Sequence, residues 1–244
     1  MYRILAAHAE VRERRNVLRH PHYAKPELLA TGPNQLWSWD ITKLLGPQKW
    51  TYFYLYVLLD VFSRYVVGWL LGERESAALA EHMLQDAHAK QAIQPGQLTV
   101  HADHGAPMIS KPVAHLLADL GVTKTHSRPH VSNDNPFSES HFKTVKYQPT
   151  FPKRFGSRED ALAFCRTFFP WYNEQHYHAG LGLLTPSSVH HGTAGEVLRA
   201  RHQVLLAAHA LHPERFLSGP PEPQSVPSAV WINPPSSPKE VLGV

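Results

Sequence analysis

The stretch Trp50 to Leu59, Trp-Thr-Tyr-Phe-Tyr-Leu-Tyr-Val-Leu-Leu, constrains this chain most. It is aromatic and apolar on both faces, which a half-solvated strand cannot be. It therefore reads as the central strand of a sheet covered on both sides. Leu36 to Leu45 before it and Arg64 to Leu71 after it read as strands too, joined by Gly46-Pro47 and by the tight Asp60-Val61-Phe62-Ser63 connection. Three strands with short turns predict an antiparallel meander.

The period then changes. Glu75 to Gln91 carries Leu79, Met83 and Ala87 at helical spacing and ends before Pro95-Gly96. Gln97 to Ala102 is a short apolar strand, Lys111 to Leu120 a helix stopped by Gly121, and Val122 to His126 a fifth strand. A helix follows within Asn133 to Tyr147, with Asn135 placed to cap it and Pro136 at its first position. Glu139, Lys143 and Lys146 share one of its faces, and Ser138, His141, Phe142 and Val145 point to a core. Ser157 to Tyr172 is a further helix with a Ser157–Asp160 cap, and Ala194 to Ala210 a last amphipathic one. The order βββαβαβα predicts an α/β fold, a mixed five-stranded sheet flanked by helices.

The ends differ in composition. Residues 1–33 are a basic arm in which Arg12, Arg14, Arg15 and Arg19 cluster, with a short helix expected over Met1 to Arg15. Residues 193–244 form a helical and then Pro-rich extension: seven of the 21 prolines fall between Pro220 and Pro238, with Ala229 to Ile232 expected as a lone strand. The folded core between these ends is expected over 34–192. The chain has 244 residues, 24 Lys plus Arg against 20 Asp plus Glu, and a pI near 9.2, so a polyanionic partner is permitted but not demanded. Its single cysteine, Cys165, excludes a disulfide framework within the chain. The longest apolar run is too short to span a bilayer, so no membrane partner and a cytoplasmic location are expected.

Asp40 lies inside an apolar strand, between Trp39 and Ile41. A carboxylate there is costly unless it is paired or binds a cation. Asp103 ends a second strand, and Glu139 sits on the helix after the fifth. If the first and fourth strands are neighbours, the three acids meet at one sheet edge, where they would resist ionising together. Hard divalent cations relieve that, Mg²⁺ being the usual one. Two such ions bridged by one aspartate clamp an in-line phosphoryl displacement. The histidine pairs His20/His22, His176/His178 and His190/His191 lack a zinc-ligand spacing and read as surface or packing groups.

These residues resemble those of insertion-sequence transposases of the DDE superfamily, with a retroviral-integrase-like, ribonuclease-H-like core. The matching stretches are Trp37-Ser38-Trp39-Asp40-Ile41-Thr42, Asp60-Val61-Phe62-Ser63-Arg64, His101-Ala102-Asp103-His104-Gly105, and Asp134-Asn135 to Glu139 with Lys143 and Lys146. Thirty-five residues lie between Asp103 and Glu139, the family's characteristic gap. Trp171-Tyr172-Asn173 and Leu184-Thr185-Pro186 look like its final core segment.

The resemblance implies 3′-end cleavage and strand transfer, with Asp40, Asp103 and Glu139 as catalytic residues and ligands of two Mg²⁺ ions, which Mn²⁺ can replace. It implies DNA as partner, a homo-oligomer assembled on it, and bacterial, nucleoid-associated action. Lys143, Lys146, Arg128, Lys124 and His104 are candidate DNA contacts, His104 standing where the family commonly has Arg or Asn. Family members normally carry an N-terminal helix-turn-helix region, so a second-frame product with a separate first-frame partner is expected. The rival readings are a related nuclease that only cleaves and a non-catalytic, truncated DNA-binding remnant.

Overall fold

A computed structural model of the chain describes residue 7, residues 23–129, residue 131 and residues 134–235. The helix expected over Met1 to Arg15 and its arginine cluster lie outside the described residues, apart from Ala7.

The central sheet has five strands: β2 (Leu36–Leu45), β3 (Tyr52–Asp60), β4 (Val66–Gly72), β5 (Thr99–Ala102) and β6 (Thr123–His126). Their order is β4-β3-β2-β5-β6, with β3 antiparallel to β2 and β4, and β5 parallel to β2 and β6. The meander and the mixed sheet are as the sequence predicts. As expected of a strand apolar on both faces, β3 alternates between two cores. Tyr56 and Leu58 face one, and Leu55, Val57 and Leu59 the other. On the first face lie α1 (Ala77–Lys90) and α2 (Lys111–Asp119), which contribute Ala80, Met83, Leu84, Ala87, Val113 and Leu117. On the second lie α3 (Pro136–Lys146) and α4 (Arg158–Glu174), contributing Phe142, Val145, Cys165, Phe168, Phe169 and Tyr172. The predicted cap of α4 is present: Ser157 Oγ accepts from the Asp160 amide at 3.0 Å.

A five-residue helix, α5 (Pro186–His190), and an 18-residue one, α6 (Ala194–Leu211), follow α4. No helix among the described residues is long and apolar enough to cross a membrane.

The ends depart from expectation. Leu28–Ala30, within the expected basic arm, is a strand, β1, and Ala229 to Ile232 is not alone: β7 (Val230–Ile232) pairs antiparallel with β1. Each partner is only three residues long, too short for its alternation to register in sequence. The ribbon is held from below by a satellite core of Ala30, Leu36, Val61, Phe62, Leu184 and Val189, together with Val230 and Ile232. If that burial holds the ribbon, Ile232→Ala should cost about 2–4 kcal/mol in a denaturant melt. Leu217→Ala, at a side chain 98% exposed, should cost under about 0.5 kcal/mol.

Candidate active site

Register brings the first two acids together. The parallel β2–β5 pairing runs to Trp39 opposite Ala102, so Asp40 and Asp103 are the next residues along adjacent strands. Glu139 arrives on α3, which is tied to β2 by buried hydroxyls. Ser38 Oγ donates to Asn135 Oδ1 and is joined to Ser138 Oγ. Asn135 Nδ2 also reaches the Trp39 carbonyl. Each anchor is one or two residues from an acid: Ser38 precedes Trp39-Asp40, and Ser138 precedes Glu139. Asn135 therefore precedes the helix without capping it through its side chain, contrary to expectation, because that side chain is bonded to β2.

The lead into α3 is tied to the other strands. His101, fully buried on β5, lies 2.9 Å from the Asp134 carbonyl through Nε2 and 2.9 Å from Thr125 Oγ1 through Nδ1. The carbonyl can only accept, so Nε2 carries the proton and Nδ1 accepts. The Asp134 carboxylate accepts two guanidinium bonds from Arg128, at 2.9 and 3.0 Å, and one from Asn233 at 2.7 Å. Arg128's hydrogen bonds, first of all, hold this carboxyl down at about 2. Arg128, a candidate DNA contact in the sequence, thus clamps the loop before α3.

Electrostatics show which acids act on one another. The Asp40 carboxyl is pushed up to about 7, chiefly by desolvation and then by Asp103. Glu139 adds to the rise, while the Ile41 amide and Lys146 oppose it. Asp40 is thus the group on which both other acids and Lys146 converge. Burial lowers the Lys146 ammonium, and Asp40 partly restores it. Glu139 lines a recess of about 400 Å³ with Thr42, Phe142, Lys143 and Lys146. Asp103 and His104 line a neighbouring one with Ser127 and Arg128, about 630 Å³ in volume. Lys124, on β6, is lowered by burial and is not among the groups acting on Asp40.

Among the described residues, no three or more His, Cys, Asp or Glu are already arranged as a metal cluster. Asp103 Oδ1 accepts from Ser127 Oγ at 2.8 Å, and Asp40 Oδ1 from its neighbouring Ile41 amide at 2.7 Å. The donor set nevertheless suits a hard divalent cation. It is all oxygen, and the Asp40 carboxyl is raised by burial first and then by Asp103 and Glu139, a cost that a cation would relieve.

Sequence reasoning missed the residues that aim this set: Ser38, Asn135 (beyond its capping role), Ser138, His101 and Asn233. Ser38 carried a signal, a lone hydroxyl between two tryptophans in an apolar strand. Asn233 carried none, since it is ninety-nine positions from Asp134. Asp60, read as a turn residue, ends β3 and organises the turn after it: fully buried, it accepts from the Asn34 and Ser63 amides and the Ser63 hydroxyl.

Known proteins match along the same span. Two integrase core domain patterns match residues 30–132 and 120–186. The transposase for insertion sequence element IS904 of Lactococcus lactis is 32% identical over 170 residues, 69% of this chain and 66% of that protein. Transposase InsF for insertion sequence IS3A of Escherichia coli K12 is 32% identical over 161 residues, 66% of this chain. The chain spans 66% and 55% of the lengths of these two curated relatives. Among solved structures, the HTLV-2 integrase catalytic core domain in complex with magnesium aligns with a TM-score of 0.50 at 15% identity, over 66% of this chain and 98% of that one. A simian T-cell lymphotropic virus intasome, bound to PP2A regulatory subunit B56 gamma, aligns with a TM-score of 0.50 at 20% identity, over 70% of this chain and 60% of that one. The sheet order and flanking helices are those of this ribonuclease-H-like fold, and the chain belongs to the integrase-core family of insertion-sequence DDE transposases.

Proposed function

We propose that this chain catalyses divalent-metal-dependent cleavage at the 3′ ends of a mobile DNA element and transfer of those ends to target DNA. The observation that carries the reading is the Asp40 carboxyl, raised to about 7 where Asp103 and Glu139 both bear on it and Lys146 opposes them. Family membership gives the chemistry its class, and the magnesium complex of the viral integrase core supports the choice of ion.

In this reading Asp40, Asp103 and Glu139 would hold Mg²⁺, with Mn²⁺ as substitute and two ions expected per site. The bound ions would supply a lowered pKa to the attacking oxygen and charge neutralisation to the leaving one. The chain's own residues do the rest. Asp40 gives up its proton as the site fills. Ser127 keeps Asp103 oriented through its hydroxyl. The Ser38–Asn135–Ser138 seam fixes Glu139 against β2. Lys143 and Lys146, which line the recess of Glu139, would meet backbone phosphates of the element's end, and His104, which lines that of Asp103, the neighbouring strand. Copies of the chain assemble on DNA so that two ends are joined in concert, as the viral intasome among the fold neighbours suggests.

Asp40→Asn, Asp103→Asn and Glu139→Gln should each lower Mg²⁺-dependent joining of a pre-cut 3′-hydroxyl end by at least about a thousandfold, while binding of the same DNA changes less than about threefold. Joining that survives in the Glu139→Gln protein removes that residue from the site. Cleavage without joining by the wild type identifies a simple nuclease.

The raised Asp40 carboxyl also fixes a pH dependence. The folded group titrates near 7 and the unfolded one near 3.8, so the fold binds the extra proton between those values. Without divalent ions, stability therefore falls as pH rises through that window. Asp40→Asn removes this loss. The variant should exceed the wild type by roughly 2 kcal/mol at pH 8, allowing for partial solvent screening, and match it at pH 4 in urea melts.

A further inference from the structure

Away from the three acids, two buried titratable groups stand at the ends of one hydrogen-bonded chain. Asp60 closes β3 with its side chain fully buried, and His190 closes α5 with its side chain 2% exposed. Ser63 Oγ lies between them, 2.7 Å from Asp60 Oδ1 and 2.9 Å from His190 Nδ1. On its other side His190 Nε2 lies 2.8 Å from Oε1 of Gln91, the residue after α1. Neither Asp60 nor His190 is among the groups that act on Asp40.

The directions of these bonds fix a count of protons. The Trp37 indole can only donate, and it donates to Asn34 Oδ1 at 3.1 Å. That turns the amide nitrogen of Asn34 towards Gln91, whose Oε1 accepts from it at 3.2 Å. The same oxygen must accept from His190, so Nε2 of the ring carries a proton. A neutral ring then has a bare Nδ1, which takes the one proton of the Ser63 hydroxyl. Asp60 Oδ1 would be left facing the Ser63 oxygen at 2.7 Å with no hydrogen between them, unless the carboxyl supplies it. If Ser63 donates to an ionised Asp60 instead, Nδ1 must donate to Ser63, and the ring is an imidazolium. A carboxylate with a neutral imidazole leaves two buried acceptors competing for one hydroxyl, a cost that a single added proton removes.

The surroundings act on both ends. Burial, the largest cause, raises the Asp60 carboxyl, while the Ser63 hydroxyl, the Ser63 and Asn34 amides and the Arg64 charge oppose the rise. Burial also lowers the His190 imidazole to about 4, and His191 adds to the fall. Tyr65 stacks on the His190 ring with centroids 4.4 Å apart, its phenol kept neutral by burial. These senses put the added proton on the carboxyl, with Ser63 relaying its bond to the ring.

We propose that Asp60 and His190 hold one proton in common through Ser63, and that this proton clasps α5 to the end of β3. The clasp gathers the lead into β2, the turn after β3 and the end of α1 around α5. Val189, beside His190, belongs to the satellite core under the β1–β7 ribbon, so losing the proton in alkali loosens that core as well. The sign of the pH dependence follows. The unfolded pair, with ordinary values of 3.8 and 6.5, holds one proton between those pH values, as the fold does. Above 6.5 only the fold keeps it, so the clasp's contribution to stability falls as pH rises.

NMR of the isotopically labelled full chain reads the proton directly and needs no variant. We expect a protonated Asp60 carboxyl beside a ring protonated at Nε2 alone from pH 5 to 7, then a single loss that moves both signals. An imidazolium beside a carboxylate keeps the same count and supports the shared proton. Amide protection at Val189 and His191, corrected for intrinsic exchange, should drop at the same midpoint. Urea melts without divalent ions compare the chain with His190→Phe, which keeps a ring against Tyr65, and the titration of Asp40 cancels between the two. The ratio of their folding constants should be constant between pH 5 and 6 and fall by up to about tenfold per pH unit above 7. A buried histidine with no shared proton gives the opposite, a ratio that rises between pH 5 and 6 and is flat above 7. That profile, a neutral ring beside an ionised Asp60 at pH 6, or protection that holds through the titration would overturn the proposal.

Discussion

Three short side chains decide where the helix of Glu139 sits. Ser38 is buried in a strand between two fully buried tryptophans, and its hydroxyl must be satisfied there. It finds Asn135 and Ser138, which lie on the first turn of α3 and just before it. A helix packed on a sheet by apolar contacts alone can slide by a turn at modest cost. A buried hydroxyl that would be left unpaired forbids the slide. The apolar contacts of Phe142 and Val145 hold α3 against the sheet, and the polar seam sets its register.

A second constraint works through charge. Asp40 and Asp103 are brought side by side by the parallel register, and Glu139 acts on Asp40 as well. Such an arrangement destabilises the metal-free fold, and the rest of the structure offsets it. Arg128 and Asn233 clamp Asp134, His101 holds the Asp134 carbonyl, and the β1–β7 ribbon delivers Asn233 from the far end of the chain. The loop ahead of α3 is thus fastened from three strands. Arg128 illustrates the division of labour: a cation expected to meet DNA holds the scaffold, which leaves Lys143 and Lys146 as the basic groups beside Glu139.

Most of this fold is legible in the sequence because its signals are local. The two-faced apolarity of β3, the helical spacing of Leu79, Met83 and Ala87, and the stop at Gly121 each follow from a few adjacent residues. The three acids stand out in the sequence through the apolar strand around Asp40, the strand end before Asp103 and the spacing to Glu139. What escaped is long-range pairing between short or polar pieces. The partners β1 and β7 are three residues each, about two hundred positions apart in the chain. Asn135 was read as a helix cap, since Asn before Pro is a strong local cue, yet its side chain is bonded across the sheet to Ser38. Arg128 reads from sequence as a DNA contact because its partner's burial is a property of the folded loop. Local chemistry names these residues, and only tertiary context says which partner each one takes.

The central claim is that Asp40, Asp103 and Glu139 form one site for a divalent cation. Anomalous diffraction from crystals grown with Mn²⁺ tests it most directly. The account predicts a peak in direct contact with the Asp40 carboxylate and with at least one of Asp103 and Glu139, lost in Asp40→Asn crystals. Mn²⁺ bound only elsewhere, or a peak at the site that survives that substitution unchanged, would contradict it.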